Sequence, residues 1–126
     1  MNVVDSSAWL EYFAAGPNST FFSDAIENIN DLIVPTLCLY EVFKRINVQR
    51  SENEALQAVA AMQQGHVVDL DAAIALSAAR ISIDQKLPMA DSVILATARM
   101  NKAILWTQDS HFERLENVKY RKFEGD

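Results

Sequence analysis

Asn2-Val3-Val4-Asp5-Ser6-Ser7-Ala8-Trp9-Leu10-Glu11-Tyr12-Phe13-Ala14 opens the chain. Two β-branched residues run into an acid, and Ser6 or Ser7 can then cap a helix. Trp9, Leu10, Phe13 and Ala14 recur at helical spacing. This is a short buried strand feeding straight into a helix, which Gly16-Pro17 ends. The same grammar recurs downstream. A helix from Ser19 to about Asn30 carries Phe21, Phe22, Ala25, Ile26 and Ile29. Leu32-Ile33-Val34-Pro35 is a second strand, and Thr36 caps a helix holding Leu37, Leu39, Tyr40, Val42, Phe43 and Ile46. Ser51-Glu52-Asn53-Glu54 resembles a capping box and opens a fourth helix that Gly65 closes. His66 to Leu70 is a third strand, and Asp71 caps an Ala-rich helix to about Gln85. Pro88 precedes a helix to about Asn101, and Ala103-Ile104-Leu105-Trp106 is a fourth strand. Asp109 opens a short helix through Leu115. Val118 to Phe123 reads as a fifth, edge strand whose bases discourage pairing with another chain. Strands alternating with helices predict an α/β fold with a mostly parallel sheet of about five short strands flanked by helices. The pattern does not order the strands.

A chain of 126 residues has room for one core. It is 50% hydrophobic and 22% charged, a globular balance, and 3 Gly and 3 Pro exclude a collagen-like or turn-dense β chain. No apolar run reaches the roughly 18 residues of a membrane span, and Met1 leads into Asn2 without a basic leader. Cys38 is the single cysteine, so no internal disulfide forms. The expectation is one cytoplasmic domain over residues 1–126, with no membrane partner. Residues 1–43 carry six carboxylates and no Lys or Arg, whereas from Lys44 onward eleven acids meet eleven bases. The net charge of −6 thus lies wholly in the first third. Simple electrostatic capture of nucleic acid needs the opposite sign. An acidic site can still act on a phosphodiester if a metal ion inverts its charge.

Four acids stand out. Asp5 ends strand one and Asp109 follows strand four, the ends at which open α/β sheets bind ligands. Glu41 lies within a helix, and Asp91 borders the apolar stripe made by Ile94 and Leu95. Each has a plainer explanation. Asp91 suits a first helical turn, Glu41 could pair with Arg45, and Asp109 could cap the helix of His111 and Phe112. Asp5 could cap the first helix, although the end of a buried strand is a costly place for an unpaired carboxylate.

The surroundings of these acids decide between the two. Val-Val-Asp-Ser-Ser at 3–7, Pro-Thr-Leu-Cys-Leu-Tyr-Glu-Val at 35–42, Leu-Pro-Met-Ala-Asp-Ser-Val-Ile-Leu-Ala-Thr-Ala at 87–98 and Thr-Gln-Asp-Ser-His-Phe at 107–112 together resemble a PIN domain. More narrowly, the chain resembles a VapC-type toxin of a toxin–antitoxin pair, in the family's order and over essentially its whole length. Gln108 departs from the family, which often has Asn or Asp there, but leaves the Thr-x-Asp frame intact; the family's fifth acid is variable and is not placed by the sequence. The resemblance implies a PIN-like three-layer fold and a metal-binding site of Asp5, Glu41, Asp91 and Asp109, steadied by Ser6 and Thr107. It also implies an endoribonuclease using a metal-activated water, acting on structured RNA such as tRNA and silenced by a VapB-like antitoxin. A homodimer or a toxin–antitoxin hetero-oligomer is the assembly it implies. Oxygen ligands without a His or Cys cluster favour Mg²⁺ or Mn²⁺ over zinc.

Other residues take ordinary explanations. His111 reads as a surface or half-buried contact, Cys38 as a small buried residue, Asp69 and Asp84 as surface acids and Asp71 as a cap. Trp9, Tyr12, Phe13, Phe21 and Phe22 crowd into fourteen positions. Core filling suits Phe13 and Phe22, but two helices need fewer rings than this. Trp9, Tyr12, Phe13 and Phe21 are therefore candidates for lining a groove. The resemblance implies that the antitoxin's C-terminal segment binds in such a region, and an arm without Lys or Arg suits a basic partner segment. Lys44, Arg45, Arg50, Lys86, Arg99 and Lys102 could hold phosphates or simply be a solvated helix face. Two alternatives stand beside the nuclease: a receiver-type Mg²⁺-binding signalling domain, and a PIN scaffold without catalysis. A receiver wants paired acids after strand one, where this chain has Asp5 and two serines.

Overall fold

The computed structural model describes residues 1–124. Five strands, β1 (Asn2–Val4), β2 (Leu32–Pro35), β3 (His66–Val68), β4 (Ile104–Thr107) and β5 (Val118–Tyr120), form one sheet in the order β3-β2-β1-β4-β5. Every pairing is parallel, so the mostly parallel sheet expected from the sequence is wholly so. Val3 pairs with Ile33 on one side and Leu105 on the other, and Val3 and Val4 are completely buried. A sheet covered on both faces needs continuous apolar strands rather than alternation, which is why Val-Val and Leu-Ile-Val suffice. Receiver-like sheets run 2-1-3-4-5. Here β3 is at the edge and β1 in the middle, so the receiver alternative fails on strand order.

Six helices flank the sheet: α1 (Ser6–Phe13), α2 (Ser19–Glu27), α3 (Thr36–Gln49), α4 (Glu52–Met62), α5 (Ala72–Gln85) and α6 (Met89–Met100). The helix caps read from Ser51 and Asp71 form, with Ser51 Oγ accepting the Glu54 N–H and Asp71 Oδ1 accepting that of Ile74. Every residue from Ser92 to Ala98 is buried, because α6 lies between α5 on one side and α3, β1, β2 and β4 on the other. Its buried hydroxyls are satisfied within the helix, Thr97 by the Val93 carbonyl and Ser92 by that of Pro88.

Several boundaries differ from the sequence reading. The predicted helix after Asp109 is a single 3₁₀ turn, Ser110–Phe112, and β5 ends at Tyr120, although the Arg121 N–H still bonds the Thr107 carbonyl at 3.0 Å. Gly65 does not cap α4, which ends at Met62. A Cβ there would sit 3.0 Å from both the Leu32 carbonyl oxygen and Val34 Cγ2, so glycine is needed for close approach to β2. The left-handed residue after α1 is Ala15, while Gly16 makes room for the Glu11 carboxylate.

The topology places one point under special demand. The chain runs outward from β1 to β2 and β3, then returns to the other side of β1 as β4. The carboxyl ends of β1 and β4 flank this switch point, where a crevice opens. Asp5 follows one and Thr107-Gln108-Asp109 ends the other.

Candidate active site

Asp5 is 3% exposed. It occupies the cap position of α1 but makes no side-chain cap bond. Its Oδ2 instead accepts from Ser7 Oγ and from Thr107 Oγ1, each at 2.8 Å. Burial raises its pKa from 3.8 to about 6. The two hydroxyls oppose that rise, and the charges of Asp91 and Asp109 add to it.

Thr107, at the end of β4, is buried, and its hydroxyl also accepts the Asp109 N–H at 2.9 Å. One side chain therefore fixes Asp5 and the backbone that carries Asp109. Glu41 projects from α3 and accepts from Ser6 Oγ at 2.6 Å, so it is engaged by α1 rather than by Arg45. Asp91 sits half-buried in the first turn of α6; burial raises its pKa, and so do the charges of Asp109 and Glu41. The charges of Asp91 and Asp109 thus act on Asp5, and those of Asp109 and Glu41 on Asp91.

They are not equally close. Among the described residues the tightest set of metal-capable ligand atoms is Asp91, Asp109 and His111, all within 4.8 Å of one another. Asp5, after β1, and Glu41, on α3, do not join that set. His111 is the residue that sequence reasoning dismissed. Its ring is 56% exposed, but Nδ1 lies 2.8 Å from Asp91 Oδ2 and 3.2 Å from Asp109 Oδ1. The bond to Asp91 and the charge of Asp109 raise its pKa. Asp109 also caps the 3₁₀ turn by accepting the His111 N–H at 2.9 Å, so its plainer role as a cap coexists with its place in the site. Among the described residues no Lys or Arg pairs with any of the four carboxylates. Acids of which Asp5 and Asp91 have raised pKa values, with no Lys or Arg paired to them, form a donor set suited to a divalent cation. Cys38 is buried and its thiol pKa is pushed up by burial and by Asp5, so it is no nucleophile.

Gln108, the departure noted in the sequence, points away from the acids. Its Oε1 accepts from Asn18 Nδ2 at 3.1 Å and its Nε2 donates to the Ser7 carbonyl at 3.4 Å. Asn18 also donates to the Lys122 carbonyl, and its N–H bonds the buried Glu11 carboxylate at 2.7 Å. Glu11 and Asn18, unmarked by any sequence signal, thus clamp the α1–α2 turn to the end of β4.

A cleft of about 920 Å³ leads from Ser7 and Asp109 between α1 and the α3–α4 pair. Leu10 and Phe13 line one wall and Arg45, Ile46 and Arg50 the other. The predicted aromatic groove needs correction. Trp9 is 1% exposed and stacks on Phe13 with ring centroids 5.7 Å apart, so it belongs to the core. Tyr12 meets Trp9 edge-on and bonds Glu27. Phe21 lies against Trp106 and under the Arg121 guanidinium, away from the cleft. Only Phe13 of the four candidate rings lines it.

The family model for the PIN domain matches residues 3–118. The chain belongs to the PIN domain family. No curated protein matches it by sequence alone. Solved structures match it closely in shape at low identity. A toxin–antitoxin complex from Klebsiella pneumoniae has a TM-score of 0.79 and 18% identity over 94% of this chain and 96% of that one. VapC20 of Mycobacterium tuberculosis, described as a sarcin–ricin loop cleaving toxin, gives 0.76 and 14% over 92% and 95%. VapBC2 from Rickettsia felis, bound to a promoter DNA fragment, gives 0.72 and 16% over 96% and 97%. In this PIN domain the acids lie at the switch point of the sheet. Among its described residues, no helix is long and apolar enough to cross a membrane.

Proposed function

We propose that this PIN domain is an Mg²⁺- or Mn²⁺-dependent endoribonuclease, the VapC-type toxin of a type II toxin–antitoxin module. The observation that carries the reading is the placing of Asp5, Asp91 and Asp109 near enough to repel one another with no Lys or Arg paired to them, His111 being the one basic group in contact. A bound divalent cation supplies Lewis acidity toward a phosphodiester and makes water nucleophilic near neutral pH. The protein does the rest by position. Asp91 and Asp109 present closely set oxygens, Thr107 fixes Asp5, and Ser6 holds Glu41 at the α3 side. Asp109 or Glu41 accepts the proton of the attacking water. The full acid set also speaks against a non-catalytic scaffold.

The similarity in fold to a sarcin–ricin loop cleaving toxin and to a toxin–antitoxin complex supports structured RNA as the substrate class and a VapB-like antitoxin as the partner in a hetero-oligomer. The protein acts in the cytoplasm, where both are found. The cleft that ends at Asp109 is where an antitoxin segment reaches the acids. Cleavage of a structured RNA with Mn²⁺ should leave 5′-phosphate and 3′-hydroxyl ends. Cyclic 2′,3′-phosphate ends, or full activity in EDTA, would rule the mechanism out.

A further inference from the structure

The geometry points to His111 as a direct ligand of the bound cation, which makes the site a mixed nitrogen–oxygen centre favouring a first-row transition dication such as Mn²⁺ over Mg²⁺. The inference rests on the metal-dependent reading above and goes beyond its all-carboxylate ligand set. Neighbouring ligands of an octahedral ion with bonds of about 2.1 Å are about 3.0 Å apart. His111 Nδ1 stands 2.8 Å from Asp91 Oδ2 and 3.2 Å from Asp109 Oδ1, the spacing of two such edges meeting at one corner. A cation held by these three atoms needs Nδ1 without its proton, so the ring binds as the tautomer protonated at Nε2 and any displaced proton leaves to solvent.

The placement is built by the chain rather than left to a loose surface side chain. Phe112, next in sequence, is completely buried and anchors the 3₁₀ turn. The His111 N–H bonds Asp109 Oδ1, and the Asp109 N–H bonds Thr107, so the backbone under the ring is tied to β4. Nδ1 faces inward while the exposed remainder of the ring leaves Nε2 to water. Magnesium prefers oxygen, whereas imidazole suits transition ions, so this one side chain discriminates between two cations that carboxylates alone treat similarly.

Untagged protein loaded with Mn²⁺ tests this by pulsed EPR for ¹⁴N coupling, with calorimetric Mn²⁺ and Mg²⁺ affinities for wild type, His111→Ala and His111→Gln. The other histidine, His66 on β3, bonds the Asn30 carbonyl, so a directly bound imidazole is assignable. Wild type should show the coupling and both variants should lose it. Their Mn²⁺ affinity should fall about tenfold or more, since even supporting residues of metal sites are worth about 10–100-fold. Their Mg²⁺ affinity should change less than their Mn²⁺ affinity. Mn²⁺ that binds wild type without nitrogen coupling, or binds the variants equally well, overturns the role of His111 and leaves the metal-dependent reading standing. Wild type that binds neither ion overturns both.

Discussion

The Thr107 hydroxyl donates to Asp5 Oδ2 at 2.8 Å while accepting the Asp109 N–H at 2.9 Å, joining the ends of β4 and β1 beneath the acids. It opposes the effect of burial on the Asp5 pKa and holds the backbone that aims Asp109. Thr107→Val keeps the shape and removes both bonds. The loss should cost about 1–3 kcal/mol, since a buried acceptor and an amide lose their partner. Cleavage should fall with it. Thr107→Ser, which restores the hydroxyl, should recover most of the activity. Urea unfolding and a cleavage assay on the three proteins decide it; a Val variant as active as wild type would remove Thr107 from the site.

Trp9 and Arg45 separate core from cleft. Trp9→Ala should destabilise the fold by about 3–5 kcal/mol through the cavity left beside Phe13. Arg45→Ala, on an exposed face of α3, should leave thermal stability within about 0.5 kcal/mol of wild type. A basic antitoxin segment in the cleft is repelled by Arg45, so the Arg45 variant should bind it more tightly, as read by titration of the purified pair. Unchanged affinity would place the partner elsewhere.

The elements were legible in the sequence because each carries a local signal: β-branched pairs for β1 and β2, Ser51 and Asp71 as caps, Gly-Pro after α1. Asp5 and Asp109 were legible as acids at strand ends, and Glu41 and Asp91 through their motifs. What failed depends on tertiary direction. Trp9 shares its helix with residues that face the cleft, and only packing decides that its ring turns inward. His111 sits on a 3₁₀ turn that folds the ring back toward α6, twenty residues away in sequence. The strand order depends on which edge each crossover takes, which no local pattern encodes.

Gly65→Ala tests the close approach to β2. The added methyl would meet the Leu32 carbonyl and Val34 Cγ2 at 3.0 Å, and neither can swing aside, one being backbone and the other buried. Overpacking of this kind costs about 1–3 kcal/mol. Denaturant unfolding checks it. A glycine needed only as a helix cap would give a smaller loss, because its backbone angles are not left-handed here.

Asp91→Asn removes one of the converging charges without opening a cavity. Cleavage should be abolished, while the metal-free protein should melt at the same temperature as wild type or higher, because the raised pKa of Asp91 marks a charge the fold resists. Wild type should gain thermal stability from Mn²⁺, since the cation binds the folded state alone, and the variant should gain much less. An ordinary first-turn acid would show the reverse: a modest loss of stability, intact cleavage and an unchanged response to Mn²⁺.

Asp5 sets the pH dependence of the metal-free fold. Its folded pKa of about 6 lies above the ordinary 3.8, so the folded state holds this proton more tightly than the unfolded chain does. The stability tied to that proton is fully present below about pH 4 and is lost as pH rises through about 6. The difference corresponds to about 3 kcal/mol at about 1.4 kcal/mol per unit of pKa. Asp91, shifted the same way, adds to the loss, and His111, also raised, carries it above pH 6.5. Melting curves in EDTA should therefore fall between pH 4 and 7, whereas a protein with salt-bridged carboxylates would gain stability over the same range. Asp5→Asn can still accept from Ser7 and Thr107 through its amide oxygen, and it should flatten the curve. Saturating Mn²⁺ should reverse the slope in wild type, because the cation needs the ionised carboxylates that the metal-free fold resists. A wild-type profile that rises with pH in EDTA would mean that Asp5 is compensated by a partner within the fold, and the site would not need a cation.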